Sequence, residues 1–176
     1  MNLTDRLIAP NATRGEVTIG FGAAFGGAAL AFGLALHAEL SWLSVAVVTL
    51  VAFDMFGGAV VNATDSAKRW YHRPDRTSLH HLGFVAIHVQ PFLLALVVPG
   101  FTWLAAATIY ASALTGAVLV TTAPRELRRP IAFGATAAAL TITTSMLTVP
   151  HVVAWFAPLL LIKLLLAHLL PENASR

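Results

Sequence analysis

Apolar residues run along this chain in six blocks of about twenty, separated by short polar breaks. The blocks fall at 17–37, 42–62, 79–98, 101–122, 130–149 and 151–170. A helix rises about 1.5 Å per residue, so roughly 20 residues cross a hydrocarbon core about 30 Å thick. The pattern predicts an all-α integral membrane protein, a single-domain bundle of six transmembrane helices. The breaks carry the expected punctuation. Trp42 opens the second block as an interfacial aromatic, Pro91 predicts a kink in the third, and Pro99-Gly100 ends it. Pro130 suits the first turn of the fifth helix, Pro150 starts the sixth, and Pro171 stops it.

Composition agrees with the pattern. The 176 residues are 57% hydrophobic and 11% charged, where a soluble domain carries about 25% charged residues. Mean hydropathy is +0.76. The formal charge of +3 and pI near 10.0 do not point to nucleic acid, because the basic residues sit in turns between apolar blocks. Two Lys/Arg lie in the N-terminal segment, four in the 63–78 turn, three in the 123–130 turn and one in the tail, with Lys163 inside the sixth block. The turns near 39, 100 and 150 have none. Six crossings place every basic segment on one side, so both termini are expected in the cytoplasm, in a plasma or equivalent inner membrane. No cysteine is present, which removes disulfides, thiolate catalysis, iron–sulfur clusters and Cys-zinc sites. The N-terminus shows no apolar run before a cleavage site. The Asn-x-Ser/Thr triplets at Asn11, Asn62 and Asn173 fall on the expected cytoplasmic side and are read as chance.

Polar residues inside the blocks carry the chemical argument. A charged side chain at the bilayer centre costs roughly 2.5–3.5 kcal/mol on insertion scales. Asp54, His88 and Lys163 all lie 7–8 residues from the cytoplasmic ends of their blocks, about 10–12 Å deep. Equal depth is what a shared site requires. They form either an acid–base constellation in a cavity open to the cytoplasm or a structural Asp54–Lys163 pair beside His88. A second layer lies at the mouth. If the second helix continues past Asn62 to Pro74, then Asp54, Gly58, Asp65 and His72 share one stripe. Thr77 or Ser78 caps the third helix, whose first turn carries His80 and His81, and His168 is level with them. Asp65, His72, His80, His81 and His168 are thus candidate metal ligands, and a thiolate-free set of this kind suits iron or zinc. Interfacial histidines without metal, or a metal-free proton relay, are the alternatives. Haem is a further one, with His81 or His88 opposite His168 and His37 opposite His151. His37 and His151 otherwise read as interfacial residues.

His72, the His80–His81 pair and His88 resemble the general plan of membrane hydroxylases and desaturases. Asp54, Gly58 and Asp65 are similar to the acidic helix of plasmanylethanolamine-desaturase-like proteins. The resemblance covers about 35 residues and implies two metal ions, usually iron, held by histidines and an acid. The chain has no HxxxH or HxxHH box, and Val61 stands where that pattern has a histidine, so no membership follows. No nucleophile elbow or phosphate-cradling loop occurs.

The leading functional expectation is a metal-dependent membrane enzyme, an oxidoreductase or hydrolase, acting on a lipid or isoprenoid-like substrate. A proton-coupled transporter or small channel using Asp54, His88 and Lys163 as a relay is the alternative, with a haem-binding protein behind it. Expected partners are membrane lipids and a small hydrophobic substrate or ion. A second copy is also expected, through Gly22 and Gly26 of the first helix, whose spacing lets another helix approach closely.

Overall fold

A computed structural model describes residues 9–171, and these contain helices and turns and no strand. In chain order the helices are α1 (Arg14–His37), α2 (Trp42–Asn62), α3 (Asp65–Tyr71), α4 (Ser78–Ala86), α5 (Gln90–Val97), α6 (Trp103–Thr122), α7 (Arg128–Ser145) and α8 (Phe156–Leu161). The last continues without interruption as a π-helix, Ile162–His168. Arg6, Asn173 and Arg176, which entered the charge and glycosylation arguments, lie outside the described residues.

Five segments are long and apolar enough to cross a membrane: Arg14–His37, Trp42–Asn62, Ser78–Val97, Trp103–Thr122 and His151–His168. The chain is therefore a helical, multi-pass membrane protein by length and composition. The predicted block at 130–149 corresponds to α7, which is not among the five. It contains Arg128, Arg129, Pro130, four threonines and Ser145, so its average hydropathy falls below that of the others.

Local chemistry explains the boundaries. Thr13 caps α1 in a reciprocal box with Glu16. Ser41, Thr64 and Thr102 cap α2, α3 and α6 through their hydroxyls. The Thr64 cap corrects one expectation. The second helix does not run on to Pro74 but stops at Asn62, and Thr64 Oγ1 starts α3 by accepting from the Ala67 N–H. The stripe through Asp54, Gly58, Asp65 and His72 is broken there. Ser66 anchors α3 to α1, its N–H and hydroxyl both donating to the Glu16 carboxylate at 3.0 and 2.7 Å. Lys68 donates to the carbonyls of Ala167 and Leu170, tying α3 to the end of the last helix.

Small residues set the closest approaches. A Cβ at Gly57 would stand 2.8 Å from Ala24 Cβ, and one at Gly20 would stand 2.9 Å from Val61 Cγ2. The α1–α2 hairpin is thus packed backbone against backbone. Gly22, Gly26 and Gly33 face open space on the outer side of α1. The core gathers Met55 of α2, Ile109 of α6, and Phe156, Leu160, Leu164 and Leu165 of the last helix, all fully buried. The α4–α5 segment is broken at Ile87–Val89, just before Pro91. The carbonyls freed by the break find side chains: Tyr110 Oη donates to Ala86 O at 2.8 Å, and His88 Nδ1 lies 2.6 Å from Phe84 O.

Candidate functional site

The break in α4–α5 and the π-helix together build the site. In an ordinary α-helix, residues five apart point about 140° away from one another. In a π-helix the i→i+5 hydrogen bond stacks them one turn apart. Lys163 and His168 are five apart in the π-segment, and both face α2–α4. The chain thereby presents a buried lysine at one level and a buried histidine at the next.

At the deeper level, Lys163 Nζ donates to Asp54 Oδ1 at 2.9 Å and to the Asp54 carbonyl at 3.2 Å. The lysine side chain is 3% exposed and the carboxylate 47%, so the pair runs from the packed interior to the outer surface of α2. Its geometry depends on Gly58. A Cβ there would stand 2.6 Å from Lys163 Nζ and would also overlap its Cε, so the lysine lies in the space that glycine leaves. Gln90 Nε2 donates to Asp54 Oδ2 at 3.0 Å and fixes the other carboxylate oxygen. His88, 6% exposed, completes the level. A carbonyl only accepts, so the 2.6 Å contact to Phe84 O places the proton on Nδ1, and in the neutral ring Nε2 carries the lone pair. These residues line a cleft of about 330 Å³ together with Asn62, Tyr71 and Ile87. Two atoms of lining residues are buried without a hydrogen-bond partner, Asn62 Nδ2 and Gln90 Oε1. Each such atom is a cost to the fold, set in the wall behind the cleft rather than on its open face.

At the mouth, His72, His81 and His168 come together. Their ring centroids are 4.7 Å apart for His72–His81, 5.2 Å for His81–His168 and 6.4 Å for His72–His168. His72 Nε2 donates to the His168 carbonyl at 2.9 Å, and His81 Nδ1 lies 3.2 Å from His168 Nε2. Burial pushes the His72 imidazole below its ordinary pKa, against the hydrogen bond to the His168 carbonyl, which favours the proton; Lys68 and Arg128 add to the lowering. Burial likewise pushes the Tyr71 phenol up, against the pull of Arg76, so it stays a donor. The Phe84 ring stacks on His168 at 3.8 Å and also meets His88 at 4.8 Å. A phenyl ring thus separates the two histidine levels.

The other two candidate ligands stand apart. Asp65 is exposed in the first turn of α3. His80 is exposed, and its Nδ1 caps α4 by accepting the Thr77 N–H at 3.2 Å. Among the described residues, no group of three or more His, Asp or Glu side chains is placed to hold a metal ion. The physical reason is visible in the trio: His72 and His81 stack face to face at 26°, presenting ring faces rather than lone pairs to a common point. His37 and His151 are both exposed.

No family model, curated protein or solved structure matches this chain. The reading of the site therefore rests on its own geometry. Gln90, Asn62, Tyr71 and Gly58 belong to the cleft as much as the charged residues do. Gln90 and Asn62 carried a signal, since each is an uncharged but strongly polar side chain in an apolar block, subject to the same burial argument as Asp54.

Proposed function

We propose that this chain is a six-span membrane protein with both termini cytoplasmic. Its Asp54–His88–Lys163 cleft is an acid–base site for the polar end of a lipid or isoprenoid-like substrate dissolved in the bilayer. The six-span topology is supported by where α7 begins and ends. Arg128 opens α7 beside residues of the 63–78 turn. Beyond its far end, Pro150 lies next to Gly100, in the turn that precedes α6. The 18 residues of α7 cover about 27 Å, close to the roughly 30 Å that the 20 residues of α6 cover in the opposite direction. Both basic turns then share one side, as the positive-inside rule requires.

The observation that carries the functional reading is the cleft's combination of His88, oriented by its contact to the Phe84 carbonyl, with a buried Lys163 paired to Asp54. His88 Nε2 is the base, able to take a proton from a bound hydroxyl or acidic C–H group. The Lys163 ammonium, held by Asp54, stabilises the negative charge that this transfer creates. Gln90 holds the Asp54 carboxylate from its other side and so fixes the pair. Ile87, 69% exposed beside the cleft, marks where an apolar chain leaves toward lipid.

The test is complementation of a deletion strain followed by whole-cell lipid profiling. Wild-type protein restores the profile, and His88→Gln and Lys163→Met, expressed to equal level, do not. Restoration by His88→Gln would sink the acid–base reading. A proton relay is the competing reading, but the Phe84 ring interrupts the path from His88 to the mouth histidines. Proton movement in liposomes that Asp54→Asn abolishes would put the relay in its place.

A further inference from the structure

A second and larger cavity, about 1350 Å³, opens at the basic end and shares no lining residue with the cleft. Its rim carries Arg73, Arg76, Arg125, Arg128 and Arg129, drawn from two turns that are about fifty residues apart in sequence, and among the described residues no carboxylate lines it. Two of the arginines are partly occupied by the protein. Arg73 pairs with Asp75 at 2.8 Å, and Arg128 donates through Nε and Nη2 to the carbonyls of Ala123 and Thr121 at the end of α6. Arg76 Nε is buried without a hydrogen-bond partner, and Arg125 and Arg129 are exposed. The wall below is apolar: Phe133 of α7 and Ile162 and Leu166 of the last helix. Phe133 is 51% and Ile162 40% exposed, and both lie on segments that run into the apolar zone.

Arginines in a cytoplasmic turn need no explanation beyond topology and attraction to anionic lipid. A concave set of five, two of them exposed and without a paired carboxylate among the described residues, and with an apolar wall leading away, is a more specific object. Guanidinium groups match phosphate oxygens in planar, charge-assisted pairs. We infer that this vestibule binds a membrane amphiphile carrying a phosphate headgroup, with the phosphate at Arg76 and Arg129 and the hydrocarbon chain along Phe133, Ile162 and Leu166. A free phosphate satisfies the rim alone and an alcohol satisfies the wall alone, so the chemistry of both ends selects the joined molecule.

The experiment uses the full chain in neutral phosphatidylcholine nanodiscs, with farnesyl phosphate, farnesol and inorganic phosphate as probes, read by titration calorimetry. Beyond any occupancy of the cleft, farnesyl phosphate is expected to fill one salt-sensitive site per chain and to bind it at least about tenfold more tightly than either other probe, with affinity falling as salt is raised. The double variant Arg76→Gln/Arg129→Gln loses about tenfold or more, whereas Arg14→Gln, exposed at the start of α1, changes nothing. Equal binding of farnesol reduces the site to an apolar groove and overturns the inference. Equal binding of inorganic phosphate makes it a soluble-anion site and also overturns it. An equal loss in Arg14→Gln shows general surface charge and does the same. If the double variant fails to fold, the salt series and the three-probe ranking on wild-type protein decide alone. Lys163→Met leaves the salt-sensitive, phosphate-selective binding unchanged, whatever it does to occupancy of the cleft. Loss of binding there, with the double variant silent, would move the headgroup into the cleft and contradict the vestibule.

Discussion

Gly58→Ala is the smallest change that tests how the deep cleft is built. On an exposed helix this substitution gains about 1 kcal/mol, because alanine is the better helix former. Here the new methyl would stand 2.6 Å from Lys163 Nζ and overlap the preceding carbon, so the lysine must leave its position. The end of a lysine is flexible, and the displacement itself costs little. What the displacement breaks is the 2.9 Å pair with Asp54, around an ammonium whose side chain is 3% exposed. Separating a buried pair costs about 3–5 kcal/mol, and the 47% exposure of the Asp54 carboxylate reduces that to about 2–3. The net expectation is a loss of about 1–2 kcal/mol, read from unfolding in mixed detergent or from the melting midpoint. In a Lys163→Met background the clash has no ammonium to displace, and Gly58→Ala is expected to become neutral or stabilising. A Gly58→Ala protein as stable as wild type in the native background would refute the argument that this glycine exists to admit the lysine.

Other expectations follow from single contacts. Gly22→Ala and Gly26→Ala point into open space and should be neutral or stabilising by up to about 1 kcal/mol, whereas Gly57→Ala meets Ala24 and should destabilise; denaturation series separate them. If a second copy packs on the outer face of α1, Gly22→Ile/Gly26→Ile lowers crosslinked dimer without lowering the midpoint. Tyr110→Phe frees the Ala86 carbonyl at the helix break and should cost about 1–2 kcal/mol. His72 has a folded pKa below its unfolded value, so its contribution is fully present above pH about 6.5 and is lost as pH falls. The midpoint should therefore drop on acidification from pH 7 toward 5, and less steeply in His72→Gln, whose amide keeps a donor toward the His168 carbonyl. Purified protein is expected to carry iron or zinc well below one atom per chain by emission spectrometry; stoichiometric metal lost in His81→Ala would overturn the hydrogen-bonded reading of the mouth.

The hydrophobic blocks placed most helix ends within a few residues, because caps and prolines are local signals. The depth argument placed Asp54, His88 and Lys163 at one level, since 1.5 Å per residue is the same ruler in every helix. Three features lay beyond that ruler. The π-segment carries no mark in IKLLLAH that separates it from α-helix, so the common face of Lys163 and His168 emerges only from packing. The break after Asn62 depends on Thr64 choosing to cap rather than continue, and Thr is compatible with either. His80 was grouped with His81 by adjacency, yet neighbours on a helix diverge by about 100°, and one caps α4 while the other meets His168. Asn62 and Gln90 were legible and missed, because the burial argument was applied to charges and histidines alone.

The central claim is that the deep cleft receives the polar end of a lipid-like molecule from the bilayer. Site-specific photo-crosslinking in native membranes tests it most directly, with a diazirine side chain at Ile87 on the cleft rim and, for comparison, at Leu50, 70% exposed on α2. The account predicts that Ile87 captures one lipid class well above its share of the membrane, that Lys163→Met abolishes this enrichment, and that Leu50 captures lipids in bulk proportion. Bulk proportions at both positions would contradict it.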